Sequence, residues 1–524
     1  MTTPHVYPKG CTFTSLDQIK DKRITIMGLG LNGGGEASVR FFLKHGAFVT
    51  VTDMKTREQL LPTIEAIEED EALDKSRLTY VLGEHRIEDF KNADCVIKNP
   101  GVRFEGNQYL EAAKAVETDL SIFLYFTKAP IIAVTGSKGK SSTVSAIHYG
   151  LKECGFNAFL GGNITVSPLT FLEETSKETP VVLELSSWQL RDLRGRGVLK
   201  PHIAIITKIV PDHQNFYGSM DSYVEDKRLI YRDQTADDYT LFDADDDGYE
   251  RESENALSES SHSFTRWGDL FASETKAKVL RYSSSTLAQE VCGVFQKKEE
   301  KEINGYVRLN AGEPEEKIIG SLLVPGPHNR INVLNAALVL RLMGVESSKI
   351  INVMASWRGI PHRLERFYDY ALQPSENGNK RLAIFYNDSA STVPEAAAAA
   401  SQSFGTRIVL ICGGTDKQLD FMPLARTLHG ECGTEFVPQK IYLLSGTGTE
   451  KLTSMLDDMH VEYTGPFDSL EVLLTVLKED LETSCDSNLL LPIVFSPGAT
   501  SFGMFTNEFD RGNKFKEAVQ KIFA

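Results

Sequence analysis

Cysteine is scarce and arranged for neither disulfides nor a metal: seven in 524 residues (Cys11, Cys95, Cys154, Cys292, Cys412, Cys432 and Cys485), an odd number with no C-x-x-C pair. A reducing compartment is the expectation. Basic charge is also in deficit. With 56 Lys and Arg against 72 Asp and Glu, the formal net charge is −16. That excludes a chain built to neutralise nucleic-acid phosphates, whose affinity comes from clustered cations releasing counterions. A local basic site for a small anion stays open within the acidic whole. Long apolar runs are missing as well. None approaches the ~18 residues of a membrane span, and the opening "MTTPHVYPKGCTFTSLDQIKDKR" has no apolar core of a secretory signal. The expectation is a soluble cytoplasmic protein with neither nucleic-acid nor membrane partners.

What is present is a repeated α/β rhythm. At roughly 100–200 residues per domain, the length implies about three domains. From Arg23 to about Thr118, "RITIMGLG", "FVTVTD", "LTYVLG" and "CVIKNPGV" read as strands separated by helical segments, including a charged helix-like run from Arg57 to Lys75. A second start, "APIIAVTGSKGKSSTVSAIHYGLKECG", leads into the apolar strands "PVVLELSS" and "PHIAIITKIV". Between Asp243 and Gly320 hairpins and exposed loops are expected, with the charge runs as solvated faces. After the helix "NVLNAALVLRLMG", ended by Gly344, the segment "SWRGIPHRLERF" crosses into a third unit. There "LAIFYNDSAS", "RIVLICGGTDK", "KIYLLSGTG" and "LPIVFSPGATSFG" each run from an apolar strand into a small-residue loop, where open α/β sheets bind ligands. The expected fold class is α/β with a Rossmann-like N-terminal domain (1–118), a central P-loop-type ATPase domain (119–359) and a Rossmann-like C-terminal domain (360–524).

Two stretches carry nucleotide chemistry. In the first, Gly28-x-Gly30-x-x-Gly33 follows a strand and opens a helix, and Asp53 ends the next strand. Such glycines let backbone approach a pyrophosphate, and the acid can take ribose hydroxyls. Nothing in that physics demands NAD; any nucleotide diphosphate fits. The second is "TGSKGKSS". Backbone N–H groups of Gly136, Ser137, Lys138 and Gly139 can cradle phosphate, Lys140 can reach the β/γ-phosphates and the Ser141 hydroxyl can hold Mg²⁺. Val134 stands where a full Walker pattern has its first glycine. Glu184 lies inside an apolar strand, where an acid is costly unless paired or bound to metal, so Mg²⁺ ligation is expected. Asp212 and His213 end the next strand and should reach the same rim, although a lone His213 would more often be an ordinary loop histidine.

Taken together, these residues resemble the Mur ligases, the ATP-dependent amino-acid ligases of peptidoglycan synthesis. Nearly the whole chain is covered: "TGSKGKSS" is similar to the family's TGxxGK[ST]T loop, "GGNI" (Gly161–Ile164) to its GGN, "PDHQNFYGSMDSYVEDK" to its DH…K block and "PHRLE" to its Arg motif. "ELSSWQL" and the front domain are most similar to the member that adds D-glutamate. The resemblance implies ATP phosphate and Mg²⁺ on Lys140, Ser141 and Ser142, with Glu184 and His213 as metal ligands. Lys227 falls on the lysine the family carbamylates, and Asn329 and Asn332 would border adenine. Arg363 and Asp388 would reach ATP from the third domain, which is expected to close over it and deliver the amino acid. A UDP-sugar would be held by Gly28, Gly30, Gly33, Asp53 and Lys98 to Gly101, Asn99 among them, with Asn163 on its side of the reacting centre. Thr392, Lys417 and Ser501 match amino-acid contacts. The family pattern is departed from at Ala390, usually lysine, at Lys208, often asparagine, and at Glu508, usually aromatic.

The implied reaction joins D-glutamate to UDP-N-acetylmuramoyl-L-alanine through an acyl phosphate, in a monomer acting on small molecules. A sibling ligase adding another amino acid is the alternative within the family. An NAD-dependent oxidoreductase would leave "TGSKGKSS" without a role. A regulator that had lost catalysis would be expected to lack some of Lys140, Glu184, His213 and Lys227, all of which are present.

Overall fold

The computed structural model describes the chain except for residues 1–9, 11, 12, 32, 165, 247, 251–263, 301, 375–377, 432, 433 and 484–488. Cys11, Cys432, Cys485 and most of the expected acidic loop after Asp243 therefore lie outside the described residues. Among the described residues Cys95, Cys154, Cys292 and Cys412 form no disulfide.

Apolar runs of four to six residues give strands buried on both faces, as parallel sheets covered by helices require. The first sheet holds β1 (Arg23–Met27), β2 (Phe48–Asp53), β3 (Leu78–Leu82), β4 (Cys95–Lys98) and β5 (Val116–Glu117) in the order β3-β2-β1-β4-β5, all parallel. The second is built on β6 (Ile131–Thr135), β7 (Phe159–Gly162), β8 (Val181–Glu184), β9 (Ile203–Ile206) and β10 (Tyr239–Asp243). After a small antiparallel pair, β11 (Tyr249–Glu250) and β12 (Phe264–Thr265), it continues with β13 (Lys278–Ser283), β14 (Gly293–Glu299), β15 (Glu302–Arg308) and β16 (Glu316–Ile319). Its order is β16-β15-β14-β13-β10-β9-β6-β8-β7, parallel except for the hairpin-linked edge β14-β15-β16. The third sheet contains β17 (Glu365–Leu372), β18 (Arg381–Asn387), β19 (Val409–Cys412), β20 (Lys440–Leu444), β21 (Thr464–Phe467) and β22 (Leu490–Phe495). Its order is β17-β18-β22-β19-β20-β21, with only β17 antiparallel to its neighbour. The expected α/β class with three sheet-centred domains is what the chain adopts.

The chain divides into two compact units: Met1–Ile319 with Asn332–Ile351, and Gly320–Ile331 with Asn352–Ala524. The first two sheets belong to the first unit and the third sheet to the second. Within the first unit, buried ion pairs fasten the N-terminal sheet to the central segment. Lys98 meets Asp192 at 2.7 Å and Arg196 meets Glu117 at 2.6 Å.

Two expectations need correction. The charged run from Arg57 to Lys75 is no single helix: a short 3-10 turn (Glu58–Leu60) leads into a helix that ends at Glu68, because Leu60, Ile64 and Ile67 are its apolar anchors and none follows at helical spacing before Asp74. The acidic run after Asp243 is not simply a solvated face. Asp246 is buried and accepts the N–H groups of Trp267 and Gly268, capping the helix Trp267–Glu274. Burial and its acidic neighbours push Asp243 up to about 6.

The glycine that packs the first helix against its strand is Gly35, not one of the three motif glycines: a Cβ there would stand 2.2 Å from the Leu29 carbonyl oxygen, whereas one on Gly34 meets nothing within 4 Å. Gly35→Ala is expected to destabilise the protein by about 1–3 kcal/mol through overpacking, and Gly34→Ala to leave it near wild type. Thermal melts of the two variants check this; equal melting temperatures would refute it.

Candidate functional site

In each sheet the strand order reverses beside a central strand, and the loops leaving the carboxyl ends there converge. In the first sheet these follow β1 and β4. Gly28, Gly30 and Gly33 all take positive φ, at 93°, 62° and 81°, and Gly33 caps the helix Gly34–Lys44. Asn99 arrives from β4: a Cβ on Gly28 would lie 3.1 Å from Asn99 Cβ, and Asn99 Oδ1 accepts the Gly101 N–H. Glycine residues and asparagine distant in sequence thus form one wall. Asp53 does something the motif did not suggest. Its carboxylate accepts the N–H groups of Leu29 (2.9 Å), Gly30 (3.2 Å) and Lys55 (2.9 Å), so it fastens the loop's shape. Lys98 likewise faces inward and is 2% exposed.

The phosphate loop leaves β6, between β8 and β9. Its two glycines are dictated by contact: a Cβ on Gly136 would fall 2.0 Å from Thr207 Oγ1, and one on Gly139 2.6 Å from Asn332 Oδ1. Asn332, expected to border adenine, is therefore packed against the phosphate loop. Asn329, one turn earlier on the helix Pro327–Leu342, donates to the Pro325 carbonyl. The expected cradle is only partly open. Ser137 and Lys138 spend their N–H groups on the Lys208 carbonyl (2.9 and 3.2 Å), and the Ser137 hydroxyl donates to Val210. The first intrahelical donor is Thr143, to Gly139, which leaves the N–H groups of Lys140, Ser141 and Ser142 at the positive end of the helix Lys140–Glu153. Lys140 Nζ folds back onto the carbonyls of Gly136 (2.9 Å) and Ser137 (3.1 Å).

Glu184 ends β8 as a nearly buried carboxylate. One oxygen accepts Asn163 Nδ2 at 2.9 Å, and Asn163 N–H donates to the Glu184 carbonyl. The other oxygen, Oε2, is buried without a hydrogen-bond partner among the described residues. That is the environment of a hard-cation ligand. No group of three His, Cys, Asp or Glu side chains able to hold a metal forms among the described residues. Mg²⁺ suits such a sparse site, since it commonly takes one or two carboxylates and fills its shell with water and substrate phosphate. His213 sits in a left-handed turn (φ 51°), half exposed, with its ring 5.5 Å from that of Trp188.

Lys227 ends the helix Met220–Lys227 and is 1% exposed, donating to the same Gly136 carbonyl at 2.9 Å. Burial, and then the neighbouring Lys140, push its ammonium down to about 7 against the pull of Asp212 and Asp226. Motif reading missed Tyr223, one helical turn before it. Its ring lies 4.5 Å under the Lys227 ammonium and its hydroxyl donates to Ser137 Oγ at 3.1 Å. The i, i+4 spacing in "YVEDK" was the available signal.

In the second unit the loops after β18, β19 and β22 converge. Asp388 is buried, accepts Ser496 Oγ (2.6 Å) and the Leu364 N–H (3.1 Å), and is pushed up to about 7 by burial. Arg363 is exposed between His362 and Leu364, both at positive φ (65° and 45°). Thr392 and the buried Ser501 lie on the first and last of these loops, and Lys417 projects exposed from the middle one. Ala390 offers only a backbone N–H, given to His362. The organiser is Arg511, 1% exposed, whose guanidinium donates to the carbonyls of Ala499 (2.9 Å) and Ser389 (2.8 Å) and so ties two ligand loops together. Gly512 beside it is forced, since a Cβ would stand 2.2 Å from His362 Nδ1.

Comparison with known proteins finds relatives of nearly the whole chain. Residues 134–340 match the Mur ligase middle domain, and residues 22–121 the N-terminal domain of MurD-like Mur ligases. The UDP-N-acetylmuramoylalanine--D-glutamate ligase of Treponema pallidum (strain Nichols) is 39% identical, over 96% of this chain and 98% of its own. The protein of that name from Borreliella afzelii (strain PKo) is 36% identical over 97% and 99%. Among solved structures, the UDP-N-acetylmuramate-alanine ligase MurC of Thermotoga maritima shares the fold at a TM-score of 0.51 and 18% identity, covering 95% of this chain and 99% of that one. MurF of Acinetobacter baumannii does so at 0.52 and 16%, covering 84% and 93%.

Lys227 titrates near 7 when folded and near its ordinary 10.5 when unfolded. Between those values unfolding takes up a proton, so the cost of burying the lysine is complete below pH 7 and fades as pH rises toward 10.5. Lys227→Met, in CO₂-free buffer, is expected to raise the melting temperature relative to wild type most at pH 7 and below, and least near pH 10. A difference that does not vary with pH would refute the depressed pKa.

Proposed function

This chain belongs to the Mur ligase family, and on that premise we propose that it is the ATP-dependent ligase that adds D-glutamate to UDP-N-acetylmuramoyl-L-alanine in peptidoglycan precursor synthesis. The observation that carries the reading is the match along nearly the whole chain to two ligases of that name. The three domains are assigned as 1–118 for the UDP-sugar, 119–359 for ATP and 360–524 for the amino acid, in a cytoplasmic monomer. Among the described residues no helix is long and apolar enough to cross a membrane.

The substrate carboxylate attacks the γ-phosphorus of ATP, giving an acyl phosphate and ADP. The amine of D-glutamate then forms the C–N bond as the C–O bond to phosphate breaks and phosphate departs. The difficulty is bringing two anions together, and preorganised cations and N–H groups answer it; one such donor is worth about 10²–10³ in rate. Lys140 swings from its carbonyl contacts to phosphate oxygens, and the helix N-terminus at Lys140 to Ser142 takes the rest. Ser141, the free oxygen of Glu184 and His213 would hold Mg²⁺, which supplies Lewis-acid neutralisation of phosphate charge. Asn163 orients Glu184 from the UDP-sugar side. In the third domain Arg363 and Asp388 serve ATP, and Thr392, Lys417 and Ser501 grip the dicarboxylate.

Lys227 is assigned as a carbamate. Its lowered pKa makes the neutral amine, the form that adds CO₂, far more available near neutral pH than on a surface lysine, and the product replaces a cation with hard anionic oxygens. Its mass should rise by one carbamate under bicarbonate, and turnover should fall when CO₂ is stripped. Lys227→Ala with near-normal turnover would end this assignment.

Phosphate release from ATP is expected to require both Mg²⁺ and UDP-N-acetylmuramoyl-L-alanine, with D-glutamate preferred in an amino-acid panel. Faster turnover with L-alanine or a diamino acid would point to the sibling activity. Robust hydrolysis of ATP alone would overturn the ligase reading. Ala390→Lys should lower the KM for D-glutamate without raising kcat much.

A further inference from the structure

We propose that Lys98 is a positioning residue, whose buried ammonium shapes the sugar-nucleotide loop 99–102 and ties it to the helix that follows Glu184. The proposal rests on the reading that the loops of the first sheet hold a nucleoside-diphosphate sugar. Lys98 ends β4, and its side chain is 2% exposed, so it does not itself reach a ligand. Its ammonium donates to the Val102 carbonyl at 2.8 Å and to the Asn99 carbonyl at 3.3 Å, and it forms an ion pair with Asp192 Oδ2 at 2.7 Å.

Two of those acceptors are backbone atoms at the start and end of the loop, which therefore wraps around the ammonium. The loop's Asn99 is the residue whose side chain packs beside Gly28 and whose N–H donates to Met27. The ion-pair partner, Asp192, is the last residue of the helix Ser187–Asp192, 6% exposed. That helix is capped by Ser186, two residues beyond Glu184, and carries Trp188 against His213. Its Arg191 reaches forward to Glu105, so the same helix holds the segment from Lys98 to Glu105 at both ends. The lysine thus sets the distance between the sugar-nucleotide loop and the carboxylate expected to hold metal.

A buried ion pair is a poor device for stability alone, because apolar residues of similar volume usually serve as well or better. An apolar pair, however, removes the Val102 carbonyl's lysine donor and leaves the Asn99 carbonyl with only the Val102 N–H, and the loop loses its template. Stability and loop shape can therefore be separated by mutation.

Lys98→Met and the double variant Lys98→Met/Asp192→Leu, in the full-length protein, test this. The measurements are the melting temperature, the Kd for UDP by calorimetry, and kcat with KM for each substrate. Lys98→Met is expected to melt lower and to raise both the Kd for UDP and the KM for the UDP-substrate about tenfold, with the KM for ATP within twofold of wild type. The double variant is expected to recover the melting temperature but not UDP affinity. Recovery of both together would reduce Lys98 to a structural role and overturn the proposal, as would wild-type UDP affinity in either variant. If Lys98→Met does not fold, the double variant gives the same decision. Wild-type protein that fails to bind UDP would instead sink the reading of the first sheet as a nucleotide-sugar site.

Discussion

The carbonyl oxygen of Gly136 accepts two ammonium groups, Lys140 and Lys227, in a space where Gly136 itself can carry no side chain. Two cations converging on one neutral acceptor is an unbalanced arrangement, and it shapes the rest of the site. Burial first, and this convergence second, depress the Lys227 pKa; the arrangement also leaves Lys140 on carbonyls it can exchange for phosphate and makes the rim at the ends of β6, β8 and β9 attractive to anions. Tyr223 supports the arrangement from beneath by presenting its ring to one ammonium and its hydroxyl to the loop.

The geometry around that point follows from sheet topology. β6 lies between β8 and β9, so the phosphate loop, Glu184 and the Lys208 to His213 segment meet at one rim although some 70 residues separate them. The same rule joins the loops after β1 and β4 in the first sheet, and those after β18, β19 and β22 in the third. Charges in these loops are then held in place by backbone. Asp53 collects N–H groups of its own loop, Lys98 collects carbonyls, and Arg511 collects carbonyls from two loops at once. In each case a fully buried or nearly buried charge is satisfied mostly by peptide groups, which fixes loop conformation more firmly than a side-chain partner able to rotate away.

Much of this was legible in order along the chain. Strand, glycine loop and helix at Gly28 to Gly33 and at Gly136 to Ser142 formed as read, because local physics decides them: positive φ, close backbone approach and an unsatisfied helix end. Glu184 on an apolar strand announced an unusual environment correctly, and its unpartnered Oε2 is the structural counterpart of that anomaly. Less legible were roles set by partners far away in sequence. Asp53, read as a ribose contact, also fastens the glycine loop after the first strand, Gly35 was overlooked beside three motif glycines, and the acidic run after Asp243 contains a buried helix cap.

The sequence by itself determined which segments become strands, where each nucleotide loop lies and which family the motifs resemble, since these depend on residue type and short-range spacing. Only the tertiary structure decided that the Lys208 carbonyl occupies two N–H groups of the phosphate loop, that Lys227 is buried beside Lys140, and that Lys98 turns inward to Asp192. Those outcomes depend on burial and on partners tens of residues distant, and the free energy of a charge is set by what surrounds it, not by its neighbours in the chain.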